Sequence, residues 1–190
     1  MNAINILIVG VGGQGTLLAS KLMGKIFIDS GLDVKVSEVH GMSQRGGSVV
    51  TYVRAGEKVY SPVIEKGEGD IMISFEALES ARWLPYLKVG GTVIANTAQI
   101  DPMPVIMGNS QYPEKVLEQV SEKGVKVISA DALSLAEQAG SAKAVNIVLL
   151  GIAAKALGLD HEACLSAIRA TVPQKTIEVN EKAFELGFNL

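Results

Sequence analysis

The sequence contains few of the residues that usually carry chemistry, with one cysteine and two histidines among 190 residues. A single cysteine excludes an internal disulfide framework, a zinc site built from several thiolates, and an iron–sulfur cluster held by this chain alone. Charged residues make up only 19% of the chain, and the net charge is −3. This balance argues against a nucleic-acid-binding surface, and we expect no metal site in the chain.

The sequence also lacks an apolar run long enough to cross a membrane. Its longest apolar stretch, residues 145–157, is interrupted by Asn146, Gly151 and Lys155, whereas a membrane span needs roughly 20 apolar residues. No positive charges precede the first apolar run, so a signal peptide is not predicted. An apolar share of 48% excludes intrinsic disorder. We therefore expect a cytoplasmic globular protein without membrane contact.

The apolar pattern predicts an α/β fold. Short apolar runs, typical of buried parallel strands, alternate with segments of helical spacing; the predicted strands are residues 5–9, 33–38, 71–75, 92–96 and 125–129. Residues 48–54 and 58–64 flank a turn and predict a β-hairpin. The last 60 residues are predicted to be helical, with Gly158 as a C-cap and Asp160 as an N-cap. Together these segments indicate one Rossmann-like domain over residues 1–190, with a mostly parallel sheet, a β-hairpin insertion and a helical C-terminal third.

A glycine-rich loop follows the first predicted strand and opens the first predicted helix. Gly10, Gly12 and Gly15 fit the G-x-G-x-x-G pattern, in which the helix N-terminus offers N–H groups to an anion. Glu38, at the end of the second strand, stands where a ribose-binding acid is found in dinucleotide-binding proteins. The pattern supports two readings, a bound dinucleotide or glycines that only permit the turn and tight packing.

Further candidates lie in loops after the strands. Arg45, flanked by glycines, could grip a phosphate or carboxylate, or pair with an acidic side chain. Glu76 could pair with Arg45 or Arg82, or be an ordinary acid in the first turn of a helix. Asn96 could bind a ligand or a loop, and His40 could touch a partner or substrate. No acid pair, metal-ligand cluster or nucleophile–base arrangement stands out, so the chain alone lacks an evident catalytic apparatus.

Several of these segments together resemble a known family. Gly12-Gly13-Gln14-Gly15 follows the first strand, Arg45-Gly46-Gly47 follows the second, Ser61-Pro62 lies in the predicted hairpin, and Asp70 precedes the next strand. In this order they resemble the gamma subunit, or gamma domain, of the 2-oxoacid:ferredoxin oxidoreductases. Residues 38–47 and 76–82 are similar to the indolepyruvate branch, and the resemblance continues to Phe184.

The resemblance implies a reaction and a division of labour. The family converts a 2-oxoacid, coenzyme A (CoA) and oxidised ferredoxin into acyl-CoA, carbon dioxide and reduced ferredoxin, and the indolepyruvate branch uses aryl pyruvates. Thiamine diphosphate, Mg and iron–sulfur clusters are implied to lie in a partner subunit or domains, through which ferredoxin is reached. This chain would then be a non-catalytic subunit, inactive alone, that binds no cofactor tightly.

The resemblance also implies where the chain faces its partner, because the equivalent domain of larger family members is associated with the CoA side. We expect contacts to CoA phosphates or to the partner from Gly12, Gly13, Gln14, Gly15 and Arg45. The partner-side or substrate-side loop would comprise His40, Gln44, Gly46, Gly47, Glu76 and Asn96. An exposed partner surface could also make the isolated chain a homodimer. The alternatives are a stand-alone NAD(P)-binding oxidoreductase, against which the predicted hairpin argues, and a binding or scaffold module without a ligand.

Overall fold

The computed structural model describes residues 3–38 and 46–190, and its centre is a six-stranded sheet. The strands are β1 (Ile4–Val11), β2 (Asp33–Glu38), β3 (Ser48–Gly56), β4 (Gly69–Ser74), β5 (Leu87–Asn96) and β6 (Lys126–Ala130). Their order across the sheet is β2-β3-β1-β4-β5-β6. The pairs β1–β4, β4–β5 and β5–β6 are parallel, whereas β3 runs antiparallel to both β2 and β1. Five strands therefore point the same way, and the prediction of a mostly parallel sheet is confirmed.

Helices cover both faces of this sheet. They are α1 (Thr16–Asp29), α2 (Ala77–Trp83), α3 (Met103–Ile106), α4 (Val116–Ser121), α5 (Ala132–Ala139), α6 (Val145–Leu157), α7 (His161–Thr171) and α8 (Ile177–Phe188). One core joins α1 and α5–α8 to the sheet face that carries Ile6 and Ile8. A second core joins the α2 and α4 side to the face that carries Leu7 and Val9. Successive residues of β1 thus enter opposite cores, which explains the unbroken apolar run in the sequence.

The antiparallel ribbon differs from its predicted form. β3 contains the predicted strand 48–54, but its hairpin partner is β2, and residues 58–64 form no strand. Side chains bind that segment instead: the Arg54 guanidinium donates to the carbonyl oxygens of Ser61 and Val63. The Val59 N–H donates to Asp33 Oδ2 over 2.9 Å. Because side chains supply these hydrogen bonds, the β-rich composition of the segment does not lead to a strand.

The helical C-terminal third is confirmed, and its elements end where the sequence indicated. Gly158 caps α6 in a left-handed conformation, and the Asp160 side chain accepts from the Ala163 N–H at the start of α7. α6 and α8 pack closely at Gly187, where a Cβ atom would lie 2.1 Å from the carbonyl oxygen of Val148. No side chain fits at that crossing. Among the described residues, no helix is long and apolar enough to span a bilayer.

The contact at Gly187 predicts a stability effect opposite to ordinary helix propensity. Gly187→Ala should lower the free energy of unfolding by about 2 kcal/mol, because the α6–α8 backbones must separate to admit the methyl group. Gly24→Ala in α1 is the matched control, since its Cβ would meet Val36 Cγ2 at an ordinary 3.6 Å. That change should be neutral or stabilise by up to about 1 kcal/mol. Denaturant unfolding measures both, and equal effects would contradict the close crossing.

Candidate functional site

The candidate site lies at the edge where the five co-directional strands end. The loops after β1, β4, β5 and β6 meet there, together with residues 46–47, which enter the antiparallel strand β3. This is the edge at which open α/β sheets bind ligands. The strand topology therefore brings the glycine-rich loop to the same edge as Gly46, Gly47, Glu76 and Asn96.

The glycine loop forms a tight turn at the N-terminus of α1. Gly15 is the N-cap residue, with a φ of 88°, and a Cβ there would also lie 3.1 Å from Asn146 Nδ2. Both the backbone conformation and the neighbouring side chain therefore require glycine. Within the described chain, the N–H groups of Gly13, Gly15 and Thr16 make no hydrogen bond. These donors and the positive end of the helix dipole can bind an anion.

Gly46 and Gly47 are joined directly to the glycine loop. The Gly12 N–H donates to the Gly47 carbonyl over 2.9 Å, and the Gly46 N–H donates to the Gly12 carbonyl over 3.2 Å. Gly12 and Gly46 are 34 residues apart in sequence, but the two segments form one short ribbon. The glycine-rich loop and the second glycine segment are thus parts of one surface.

Gln14 braces this loop from inside. Its Oε1 accepts from the Val11 N–H over 2.7 Å, and its Nε2 donates to the Phe75 carbonyl over 3.1 Å. Asn96, only 3% exposed, donates to the same Phe75 carbonyl over 3.2 Å and accepts from the Ala132 N–H with Oδ1. Both amides therefore bind the backbone of neighbouring loops, which gives them supporting roles at this edge.

Glu76 is a buried carboxylate, 1% exposed, at the N-cap of α2. Its Oε2 accepts from the Glu79 N–H over 2.9 Å, and its Oε1 accepts from the Ile100 N–H over 3.1 Å and from the Tyr112 hydroxyl. Tyr112 in turn accepts from the Leu78 N–H. Glu76 does not pair with Arg82, because three neutral donors already surround its carboxylate. It holds both ends of the segment between Ile100 and Tyr112.

Glu79 and Tyr112 are two site-edge residues that sequence reasoning missed. Glu79 is 4% exposed, pairs with Arg82 Nε over 3.0 Å, and accepts from the Ser48 hydroxyl. Its position three residues after Glu76, one helical turn on, was the available signal. Tyr112 carries no local pattern that would place it 34 residues away beside the Leu78 N–H.

Two cavities flank the glycine loop. One of about 320 Å³ lies at its turn, between the start of α1 and β3, and is lined by Gly12, Gly13, Gly15, Thr16, Leu17, Val49, Val50 and Thr51. Another of about 530 Å³ lies toward α5 and α6, and its lining includes Gly13, Gln14, Asn96 and Lys143. Gly13 and Gly15 line both cavities and therefore border open space on both sides of the loop.

The sheet order argues against dinucleotide binding in the usual geometry. β3 lies between β1 and β2, with Glu38 opposite Thr51 and Thr51 opposite Ile8. Since neighbouring strands are about 4.8 Å apart, β2 lies about 10 Å from β1. In a dinucleotide-binding fold, the strand with the ribose-binding acid is the neighbour of β1. Glu38 instead accepts from Ser20 Oγ on α1 over 3.3 Å.

The remaining candidates contribute little to this edge. His40, Gln44 and Arg45 lie outside the described residues, so their expected contacts stay predictions. Cys164 is fully buried in α7, and burial raises the pKa of its thiol to about 11, which opposes a nucleophilic thiolate. His161 lies on α7 and bonds to Glu185 on α8 over 2.7 Å. In the described ranges, His, Cys, Asp and Glu form no group suited to hold a metal ion.

The fold is that of gamma subunits of oxoacid:ferredoxin oxidoreductases. It is similar to the keto/oxoacid ferredoxin oxidoreductase gamma subunit of Geobacter sulfurreducens, with a TM-score of 0.74 and 23% identity, covering 98% of this chain and 96% of that one. It is also similar to the 2-oxoglutarate:ferredoxin oxidoreductase of Magnetococcus marinus, solved with 2-oxoglutarate, CoA and succinyl-CoA bound. There the TM-score is 0.77 and the identity 18%, covering all of this chain and 32% of that one.

The sequence comparisons identify the family. The family model described as pyruvate ferredoxin/flavodoxin oxidoreductase matches residues 5–190, and the chain belongs to this family. It is 45% identical to the indolepyruvate oxidoreductase subunit IorB of Thermococcus kodakarensis, covering 98% of this chain and 95% of that subunit. It is 44% identical to IorB of Pyrococcus horikoshii with the same coverage. The resemblance inferred from the glycine motifs is therefore confirmed.

The brace formed by Gln14 predicts a specific sensitivity to charge. Gln14→Glu should lower the free energy of unfolding by about 2 kcal/mol, because a carboxylate oxygen would replace the amide that donates to the Phe75 carbonyl. Gln119→Glu is the matched control, since that amide also donates to a backbone carbonyl, over 2.8 Å, but at an exposed position. Its effect should stay within about 0.5 kcal/mol. Denaturant unfolding at neutral pH compares them, and equal losses would contradict the brace.

The contact between Tyr112 and Glu76 predicts a pH dependence. Burial, followed by the hydrogen bond to the Glu76 carboxylate, raises the pKa of Tyr112 above its ordinary value. The stability from this protonated phenol is complete below the unfolded pKa, about 10, and is lost as the pH rises toward the folded pKa. Above about pH 10, the unfolding free energy of the wild-type chain should therefore fall more steeply with pH than that of Tyr112→Phe. The two slopes should differ by at most about 1.4 kcal/mol per pH unit. Unfolding at several alkaline pH values measures both slopes, and identical slopes would contradict the contact.

Proposed function

We propose that this chain is the non-catalytic, gamma-type subunit of an indolepyruvate:ferredoxin oxidoreductase, with residues 1–190 forming one gamma-type domain. The assembled enzyme would oxidatively decarboxylate an aryl pyruvate to an acyl-CoA and reduce ferredoxin, in the cytoplasm. The observation that carries the proposal is the 45% identity to an indolepyruvate oxidoreductase subunit along 98% of the chain. The family membership favours this function over a stand-alone NAD(P)-dependent oxidoreductase. The position of Glu38 does so too, because it lies on β2, which β3 separates from β1.

The side chains at the sheet edge that forms the candidate site support a non-catalytic role. Glu76, Glu79, Gln14 and Asn96 are engaged in hydrogen bonds that hold neighbouring loops. The single cysteine is buried, with its thiol pKa raised, and does not fit the thiolate set of an iron–sulfur cluster. We therefore assign thiamine diphosphate, Mg and the iron–sulfur clusters to a partner subunit, which would also receive ferredoxin. This chain would supply binding and positioning.

We further propose that the glycine loop faces the CoA phosphates at the junction with the partner. The N–H groups of Gly13, Gly15 and Thr16 border a cavity of about 320 Å³ at the start of a 14-residue helix. An anion at this position is stabilised by the N–H groups and by the helix dipole. Gln14 would shape the loop from within, and Arg45 would add a guanidinium to the phosphates. Gly46 and Gly47 would line the same surface through their bonds to Gly12.

Anaerobic capture from the native host tests the subunit assignment. A tagged copy of the full chain should co-elute with a larger chain that carries thiamine diphosphate, iron and sulfide. The captured complex should reduce ferredoxin in the presence of CoA and an aryl pyruvate, more efficiently than with pyruvate or 2-oxoglutarate. Capture of the chain alone, or of two copies of it only, while other assemblies in the extract stay intact, would refute the assignment. Saturable binding of NAD(H) would support the alternative.

Arg45→Ala tests whether Arg45 and the glycine loop face CoA in that complex. If Arg45 binds the CoA phosphates, the KM for CoA should rise by about tenfold, because one charge-assisted hydrogen-bonded pair is lost. The KM for the aryl pyruvate and the amount of partner captured should stay unchanged. Lys143→Ala, at the other cavity beside the loop, is the comparison variant. An unchanged KM for CoA together with unchanged assembly would remove Arg45 from the site.

A further inference from the structure

We propose that Glu79 is a positioning residue, whose buried carboxylate acts through Ser48 to fix Gly46 and Gly47 against the glycine loop. Through this positioning, Glu79 would set the affinity of the assembled enzyme for CoA, and this consequence rests on the proposed function. The chain of contacts itself is independent of that function. It runs from α2, through the first residue of β3, to the turn at the start of α1.

Gly46 and Gly47, here called the glycine segment, need an anchor outside themselves. Gly46 has a φ of 89°, and neither Gly46 nor Gly47 has a side chain that could hold its conformation. Their contacts with the glycine loop are the two backbone hydrogen bonds to Gly12, over 2.9 and 3.2 Å. Glycine has the largest conformational freedom to lose on ordering. The next residue that can tie this segment to the body of the protein is Ser48.

Ser48 is bound from two sides by α2. Its hydroxyl accepts from Trp83 Nε1 over 3.2 Å and donates to Glu79 Oε2. A hydroxyl has one proton, so a donor on one side and an acceptor on the other fix its orientation. A carboxylate accepts only, which matches the need for an acceptor at this point. Glu79 is thus chemically suited to complete the contact.

The two bonds of Glu79 differ in their surroundings. The Glu79 side chain is 5% exposed and the Arg82 side chain is 48% exposed, so their ion pair reaches the solvent. The bond to Ser48 uses the other carboxylate oxygen. Exposed ion pairs contribute little, whereas a hydrogen bond from a partly buried hydroxyl to a buried carboxylate contributes more. The contact with Ser48, rather than the pair with Arg82, should therefore control the glycine segment.

Amide exchange on the isolated full chain tests the contact without any partner. Glu79→Ala should speed exchange of the Gly12 and Gly46 amides by about tenfold or more and leave core amides such as that of Ile73 unchanged. Glu79→Gln should restore protection, because its amide oxygen can accept from Ser48. Arg82→Ala is the matched control and should leave both amides protected. Because Trp83 is the only tryptophan, its fluorescence should change with Glu79→Ala and Ser48→Ala but not with Arg82→Ala.

Kinetics of the assembled enzyme test the consequence. Glu79→Ala should raise the KM for CoA by about tenfold while kcat and the KM for the aryl pyruvate stay within about twofold. Ser48→Ala should do the same, and it carries the test if Glu79→Ala does not fold. Unchanged exchange at Gly12 and Gly46, or an equal rise in both KM values, would overturn the inference. If the wild-type chain supports no such enzyme, the proposed function fails, while amide exchange still decides whether Glu79 holds the glycine segment.

Discussion

The carbonyl oxygen of Phe75 is the point on which the edge of this sheet depends. It accepts from Gln14 after β1 and from Asn96 at the end of β5, while Asn96 Oδ1 accepts from Ala132 after β6. One carbonyl and two amides thereby join the ends of four parallel strands. Strand pairing aligns the strands themselves, but it does not fix the loops beyond them. The shared carbonyl supplies that order, because each of these polar groups is buried or partly buried and needs a partner.

The α2 carboxylates extend this order to segments that strand pairing does not reach. Glu76 binds the Ile100 N–H and the Tyr112 hydroxyl, and Glu79 binds Ser48. They are three residues apart in one helix, so a single rigid element sets two neighbouring segments. Among the described residues Glu76 has no basic ion-pair partner, and neutral donors surround its carboxylate. This arrangement is typical of a structural carboxylate, since a general acid or base must be able to exchange its proton with a ligand.

The sequence was sufficient to predict the six strands of the sheet, the glycine loop and the helix caps at Gly158 and Asp160, because each depends on residues close together in the chain. Runs such as Ile6–Val9 are buried on both sheet faces, and Gly158 and Asp160 act within a single turn. The roles of Gln14 and Asn96 depend on Phe75, which is 61 and 21 residues away. The segment 58–64 was wrongly predicted as a strand for the same reason, since side chains from β2 and β3 decide its hydrogen bonds.

The insertion of β3 explains why a glycine-rich loop of Rossmann type can serve a non-catalytic subunit. A dinucleotide spans from the loop to the neighbouring strand, where an acid binds its ribose. Here β3 occupies that neighbouring position and delivers Gly46 and Gly47 to the loop instead. The backbone donors at the start of α1 remain, but the surface beside them is a second glycine segment whose position depends on Ser48 and α2. Such a surface suits a phosphate group, because it offers backbone N–H groups beside open space at the start of a helix.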